Sequence, residues 1–253
     1  MKNNKKLITI ILSVGLAILV WMLLIFLNSI SSVIPQAQRL FSLLGGTWNG
    51  YIQFFCYMAF FYGLLELRSK REYITNQYGG FELNILPKED QLVLSPSEVA
   101  DIKLNVIEME KRGFGFLINN FIKKACTQYR NDQSISETLQ VLDVQIENSK
   151  DEQESSLNMV KYMINAIMSL GFIGTLMGLS TAIGKSYLAK TDEGMTVLTG
   201  FLNVAFDTTL VALILGLILN YFYHIYLESV DSFYARSKTY IVDNLISRIY
   251  NPA

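Results

Sequence analysis

Residues 7–27 form a run of 21 positions without a charged side chain, and no other feature constrains this chain as strongly. About 20 apolar residues, rising 1.5 Å each as an α-helix, cross the hydrocarbon layer of a bilayer. Lys2, Lys5 and Lys6 precede the run, as they would in a secretory leader. It is too long for a leader's apolar region, and no small-residue cleavage site follows it closely. A retained transmembrane helix is therefore expected.

Three further segments follow the same logic. Residues 51–67 are shorter and strongly aromatic, ending at Glu66 and the basic cluster Arg68, Lys70 and Arg71. Residues 157–183 are a third candidate, and residues 196–227 a fourth, long enough to project beyond the bilayer. Hydrophobic residues make up 51% of the chain and charged residues 17%, and the charges gather between 66 and 155 and after 227. This segregation separates lipid-facing from water-facing parts. Basic residues lie before the first segment and just after the second, whereas the loop 28–50 carries only Arg39. The bias places both termini and residues 68–156 in the cytoplasm.

The water-facing segment reads as helices. In "SPSE", Ser95 is placed to cap a helix, with Pro96 at its first position, Glu98 completing a capping box and Gly113 as the stop. "SISE" at 134–137 repeats the signal ahead of a charged helix running toward the third segment. The expected fold is an all-α polytopic membrane protein. It has four transmembrane helices, a helical cytoplasmic domain and long helices projecting into the cytoplasm. The divisions are 1–67 for the first two spans, 68–156 for the cytoplasmic segment, 157–227 for a transmembrane hairpin and 228–253 for a C-terminal helix.

Within that hairpin, "GFIGTLMGLS" interrupts an apolar run with residues that a lipid-facing helix does not need. Gly171, Gly174, Thr175, Gly178 and Ala182 recur every three or four positions, so they share one face where another helix can approach closely. The fourth segment repeats the device with Ala205, Thr209, Ala212 and Gly216, and sets Asp207 and Thr208 beside them. Close packing accounts for the glycines and alanines. A carboxylate within a span costs a few kcal/mol, so Asp207 should face an aqueous cavity or a partner; with Thr208 it is a candidate for an ion path, satisfaction by a neighbouring hydroxyl being the alternative.

Other chemistry finds little support. A net charge of −1 gives no attraction to nucleic acid. Cys56 and Cys126 lack the spacing of a zinc site or redox pair, and no metal or cofactor is expected. A membrane-embedded enzyme would need clustered acids, histidines or an activated nucleophile at membrane depth. The chain offers only Asp207 and a distant His224, read as an interfacial residue.

"GFIGTLMGLSTAI", followed about 20 residues later by "AFDTTLVALILGL", resembles the MotA/TolQ/ExbB family of ion-channel subunits. The resemblance implies that Thr175 is the pore threonine of the third helix and Thr209 that of the fourth, with Thr208 an adjacent hydroxyl. It further implies a ring of such subunits, a pentamer, in a bacterial inner membrane, around a dimer of single-span partners of the MotB/TolR/ExbD kind. The partner would carry the titrating aspartate, and proton or sodium flow would drive mechanical work. The ion and the process driven stay open. A non-conducting scaffold or signalling protein, binding partners through its cytoplasmic helices, is the alternative.

Overall fold

The computed structural model describes residues 2–31, 34–47, 50–87 and 93–249, with backbone alone for residues 2–5. The last four positions of the expected C-terminal segment and the side chains of Lys2 and Lys5 lie outside the described residues. The described elements are helices: α1 (Lys2–Ile30), α2 (Pro35–Leu43), α3 (Tyr51–Gln77), α4 (Gly79–Glu82), α5 (Pro96–Lys111), α6 (Leu117–Asp132), α7 (Ile135–Ser155), α8 (Asn158–Gly184) and α9 (Asp192–Asn244). One isolated parallel bridge joins Leu94 to Ile249.

Among the described residues, three helical stretches are long and apolar enough to cross a membrane: Lys6–Ile30, Ile135–Gly184 and Asp192–Arg248. The chain is a membrane protein on this ground. The second expected span, residues 51–67, falls within α3, which is helical as expected but is not among the three. Tyr51, Gln53, Tyr57, Tyr62 and Glu66 give it too many polar atoms for its length.

By its contacts the chain divides into two compact units, residues 1–68 with 157–224, and residues 69–156 with 225–253. In the first, Ala17, Leu24, Tyr57 and Val211 form a buried cluster to which α1, α3 and α9 contribute, with Phe41, Leu43 and Leu44 packed against it. Its outward positions are apolar as well: Leu19, Leu23, Phe26, Phe172, Leu176, Phe206 and Leu217 are exposed, the pattern of a lipid-facing surface.

The end of α2 is fixed with unusual completeness. Gly45 adopts φ +88°, a left-handed conformation open to glycine. The turn it makes lets the amides of Gly45 and Gly46 reach back to the carbonyls of Ser42 (3.0 Å) and Phe41 (2.8 Å), a Schellman closure. Two aromatic donors from neighbouring helices take the next carbonyls. The Tyr57 hydroxyl donates to Leu44 O at 2.8 Å and the Trp21 indole to Gly45 O at 3.0 Å.

In the second unit α5 begins as expected. Ser95 caps it and Glu98 closes the box, with Pro96 in the first turn, and the helix stops at Gly113, whose φ is +97°. At the start of α7 half of the device forms: the Ser134 hydroxyl accepts from the Glu137 amide at 3.3 Å. α7 and α8 are separated by Ser156 and Leu157 alone. Ile74, Phe121, Ile122, Leu142, Phe233 and Tyr234 are buried here, and Lys150–Asp231 (2.7 Å) and Lys238–Asp143 (2.9 Å) pair α7 with α9. α9 itself runs through residue 227 unbroken, because neither glycine nor proline occurs between 217 and 244.

Candidate functional site

The crossing of α8 and α9 is built from missing side chains. A methyl added at Gly178 would lie 2.6 Å from the Ala205 Cβ, and one at Gly174 2.7 Å from the Thr208 Cβ. At Gly171 it would lie 2.5 Å from the Ala212 Cβ. The three glycines therefore form three successive notches, filled in turn by Ala205, Thr208 and Ala212. All six residues are buried. Gly216 differs, since its added methyl would meet only the Met168 side chain at 3.3 Å and that of Ile167 at 4.0 Å. Intimate contact ends before it.

At the edge of this crossing Thr175 and Thr209 meet, hydroxyl to hydroxyl. Thr209 also donates to the Gly171 carbonyl at 2.9 Å, and Thr175 contacts the Ala205 carbonyl at 3.2 Å. Each hydroxyl thus reaches a backbone carbonyl of the opposite helix, which requires the approach that the glycines permit. Both threonines are half-buried, whereas Thr208 is 1% exposed and donates to Ala205 O within its own helix at 2.9 Å. The two neighbouring threonines are therefore unequal: Thr209 sits in the edge pair, and Thr208 fills a notch.

Asp207 turns to another neighbour. Its carboxylate is gripped by both terminal nitrogens of Arg39, at 2.6 and 2.8 Å. The aspartate side chain is 7% exposed and the arginine side chain 48%. The buried carboxylate thus has its partner, as a charge within a span requires. Arg39 was legible only as the single cation of the loop 28–50, and Asp207 as the single acid within the fourth apolar segment. That both were solitary was the one available signal that they pair. His224 is exposed, lying about 22 Å along α9 from Thr209 at 1.5 Å per residue.

A glycine-notched helix meeting a threonine-bearing helix is the arrangement on which the comparison with known proteins bears. Residues 116–238 match the model of the MotA/TolQ/ExbB proton channel family, a stretch that takes in α8 and most of α9. By that match, residues 116–238 belong to the MotA/TolQ/ExbB proton channel family. The matched region contains every sequence-derived site residue: Thr175, Thr209, Thr208, Asp207, Gly171, Gly174, Gly178, Ala205, Ala212 and Gly216. Arg39 lies outside it. Neither a curated protein nor a solved structure gives a significant match.

Proposed function

We propose that this chain is the ring-forming subunit of an ion-driven complex in a bacterial inner membrane, and that Thr175 and Thr209 line its ion path. In this reading α3 supplies a fourth span, both termini and the second unit are cytoplasmic, and five copies surround a dimer of single-span partners of the MotB/TolR/ExbD kind. Ion-motive force then does mechanical work. The observation that carries the reading is the threonine pair itself. Its hydroxyls lie half-buried at the edge of a helix crossing, in the part of the chain that matches a proton channel family.

A hydroxyl donates and accepts hydrogen bonds but has no pKa near neutrality, so the pair can orient water or replace part of an ion's hydration shell without holding a proton. A titrating carboxylate must then come from the partner subunit. Asp207 is engaged elsewhere, both of its oxygens being bonded to Arg39. The notches at Gly171, Gly174 and Gly178 hold the two helices at the separation that the pair needs.

Thr175→Val and Thr209→Val test this. Each keeps the side chain's shape and deletes the hydroxyl, so the assembled particle, sized by mass measurement in detergent, should persist while ion flux with the partner falls sharply. Flux equal to the parent's in both variants would reduce the stripe to packing and leave a scaffold. A stable monomer would remove the ring.

A further inference from the structure

We propose that Arg39 is a positioning residue for the threonine pair, setting the rotation of α9 about its own axis through Asp207; its value for ion flow rests on the function proposed above. The argument begins with the geometry of the ion pair. A guanidinium is planar and offers its hydrogens as a fixed fork, so a two-point grip on a carboxylate fixes direction as well as distance. Both contacts are short, and the carboxylate is nearly buried.

The grip transmits position because its base is held. Arg39 sits in α2, whose C-terminal turn is closed by Gly45 and Gly46 and tied by Trp21 of α1 and Tyr57 of α3. Phe41, Leu43 and Leu44 of the same short helix pack against the buried cluster. Val211 and Leu215, one and two turns along α9 from Asp207, pack into that cluster too. The face of α9 that carries Asp207 is thus turned toward α1, α2 and α3, and the next residues, Thr208 and Thr209, are turned toward α8.

Without Arg39 the buried carboxylate would lose its partner, and the two-point contact that opposes a turn of α9 toward water would be gone. Any such turn carries Thr209 with it, away from Thr175 and from the Gly171 carbonyl. Arg39 therefore fixes which side chains of α9 face α8, although it touches neither threonine.

Cross-linking in the full chain reads this directly. With Cys56 and Cys126 replaced by alanine, Thr175→Cys and Thr209→Cys together should form a disulfide readily under mild oxidation, since the parent side chains are in contact. Adding Arg39→Gln should slow bond formation on the order of tenfold in the properly folded fraction isolated by gel filtration, because misplacement of about 1 Å suffices for a loss of that size. Arg39→Lys, which keeps the charge but offers a single point in place of the fork, should recover only part of the rate. Should Arg39→Gln not fold, the Arg39→Gln/Asp207→Asn pair leaves no buried charge and should still cross-link slowly, because the fork is gone. Parent-rate cross-linking in either folded variant would overturn the proposal. Flux in the valine variants tests the ion path separately, so the two readings fail independently.

Discussion

The notches between α8 and α9 make a sharp demand on Gly178. An alanine there places its methyl 2.6 Å from the Ala205 Cβ, 2.9 Å from the Phe201 carbonyl oxygen and 3.0 Å from the Ala205 Cα. None of these atoms can rotate away, and carbon atoms in good contact stand about 3.5–4.0 Å apart, so the helices must part by about 1 Å. The Thr209 to Gly171 bond, 2.9 Å in the structure, then stretches to about 4 Å and is lost. Overpacking of this kind costs up to about 3 kcal/mol, and alanine's better helix propensity returns up to about 1 kcal/mol. The expected net loss is about 2 kcal/mol, or roughly 4–8 °C in the midpoint of thermal unfolding for a chain of this size. Gly216→Ala is the matched control on the facing helix. Its methyl meets no backbone, and a shift of a few tenths of an ångström by the Met168 side chain relieves the 3.3 Å contact, so most of the propensity gain of up to about 1 kcal/mol should remain. Both variants are to be measured in one detergent beside the parent, with ion flux recorded on the same preparations. A Gly178→Ala protein as stable as Gly216→Ala would refute the reasoning, since it would mean that the crossing is looser than the notches imply.

Two further outcomes follow from the second unit. Bonds from the Ser95 amide (2.7 Å) and hydroxyl (2.8 Å) hold the Glu98 carboxyl below its usual range, so its contribution to stability is full above that range and is lost as pH falls through the lowered value. Glu98→Gln should flatten the acid limb of a stability-against-pH curve, and an unchanged limb would contradict this. Burial pushes the Cys126 thiol up to about 12, and the residue is 1% exposed, so maleimide at pH 8 should spare it in the native protein and label it after denaturation. Native labelling at the rate of a free thiol would count against the buried setting of α6.

The sequence spoke most clearly where one physical demand dominates. Absence of charge over residues 7–27, glycines at helical spacing and the Ser95–Glu98 box each announce a local requirement, and the helices formed there as expected. α6 gave no such sign. Phe116 at its start offers no side-chain cap; instead the Leu117 amide donates to Gln77, 40 positions earlier, at 2.8 Å. A cap borrowed from so far away leaves no trace in a local window. The same holds for the site. The two small-residue faces could be read from spacing, because both repeat every three or four residues, whereas Thr175 and Thr209 were matched to each other only through the family resemblance. Arg39 could not be matched to Asp207, since 168 positions separate them and their meeting depends on where α2 packs. α3 shows the converse, a helix read correctly whose apolar content does not by itself mark it as a span.

Three consecutive residues of α9 answer to three different neighbours: Asp207 to Arg39, Thr208 to the notch at Gly174, and Thr209 to the hydroxyl of Thr175. Successive side chains on a helix stand about 100° apart, so one orientation satisfies all three and turning α9 by even part of that angle releases all three together. The stretch behaves like a key with three wards. It can accept an exchanged side chain at one position far more easily than a single inserted or deleted residue between 205 and 212, which would throw every later position out of register at once.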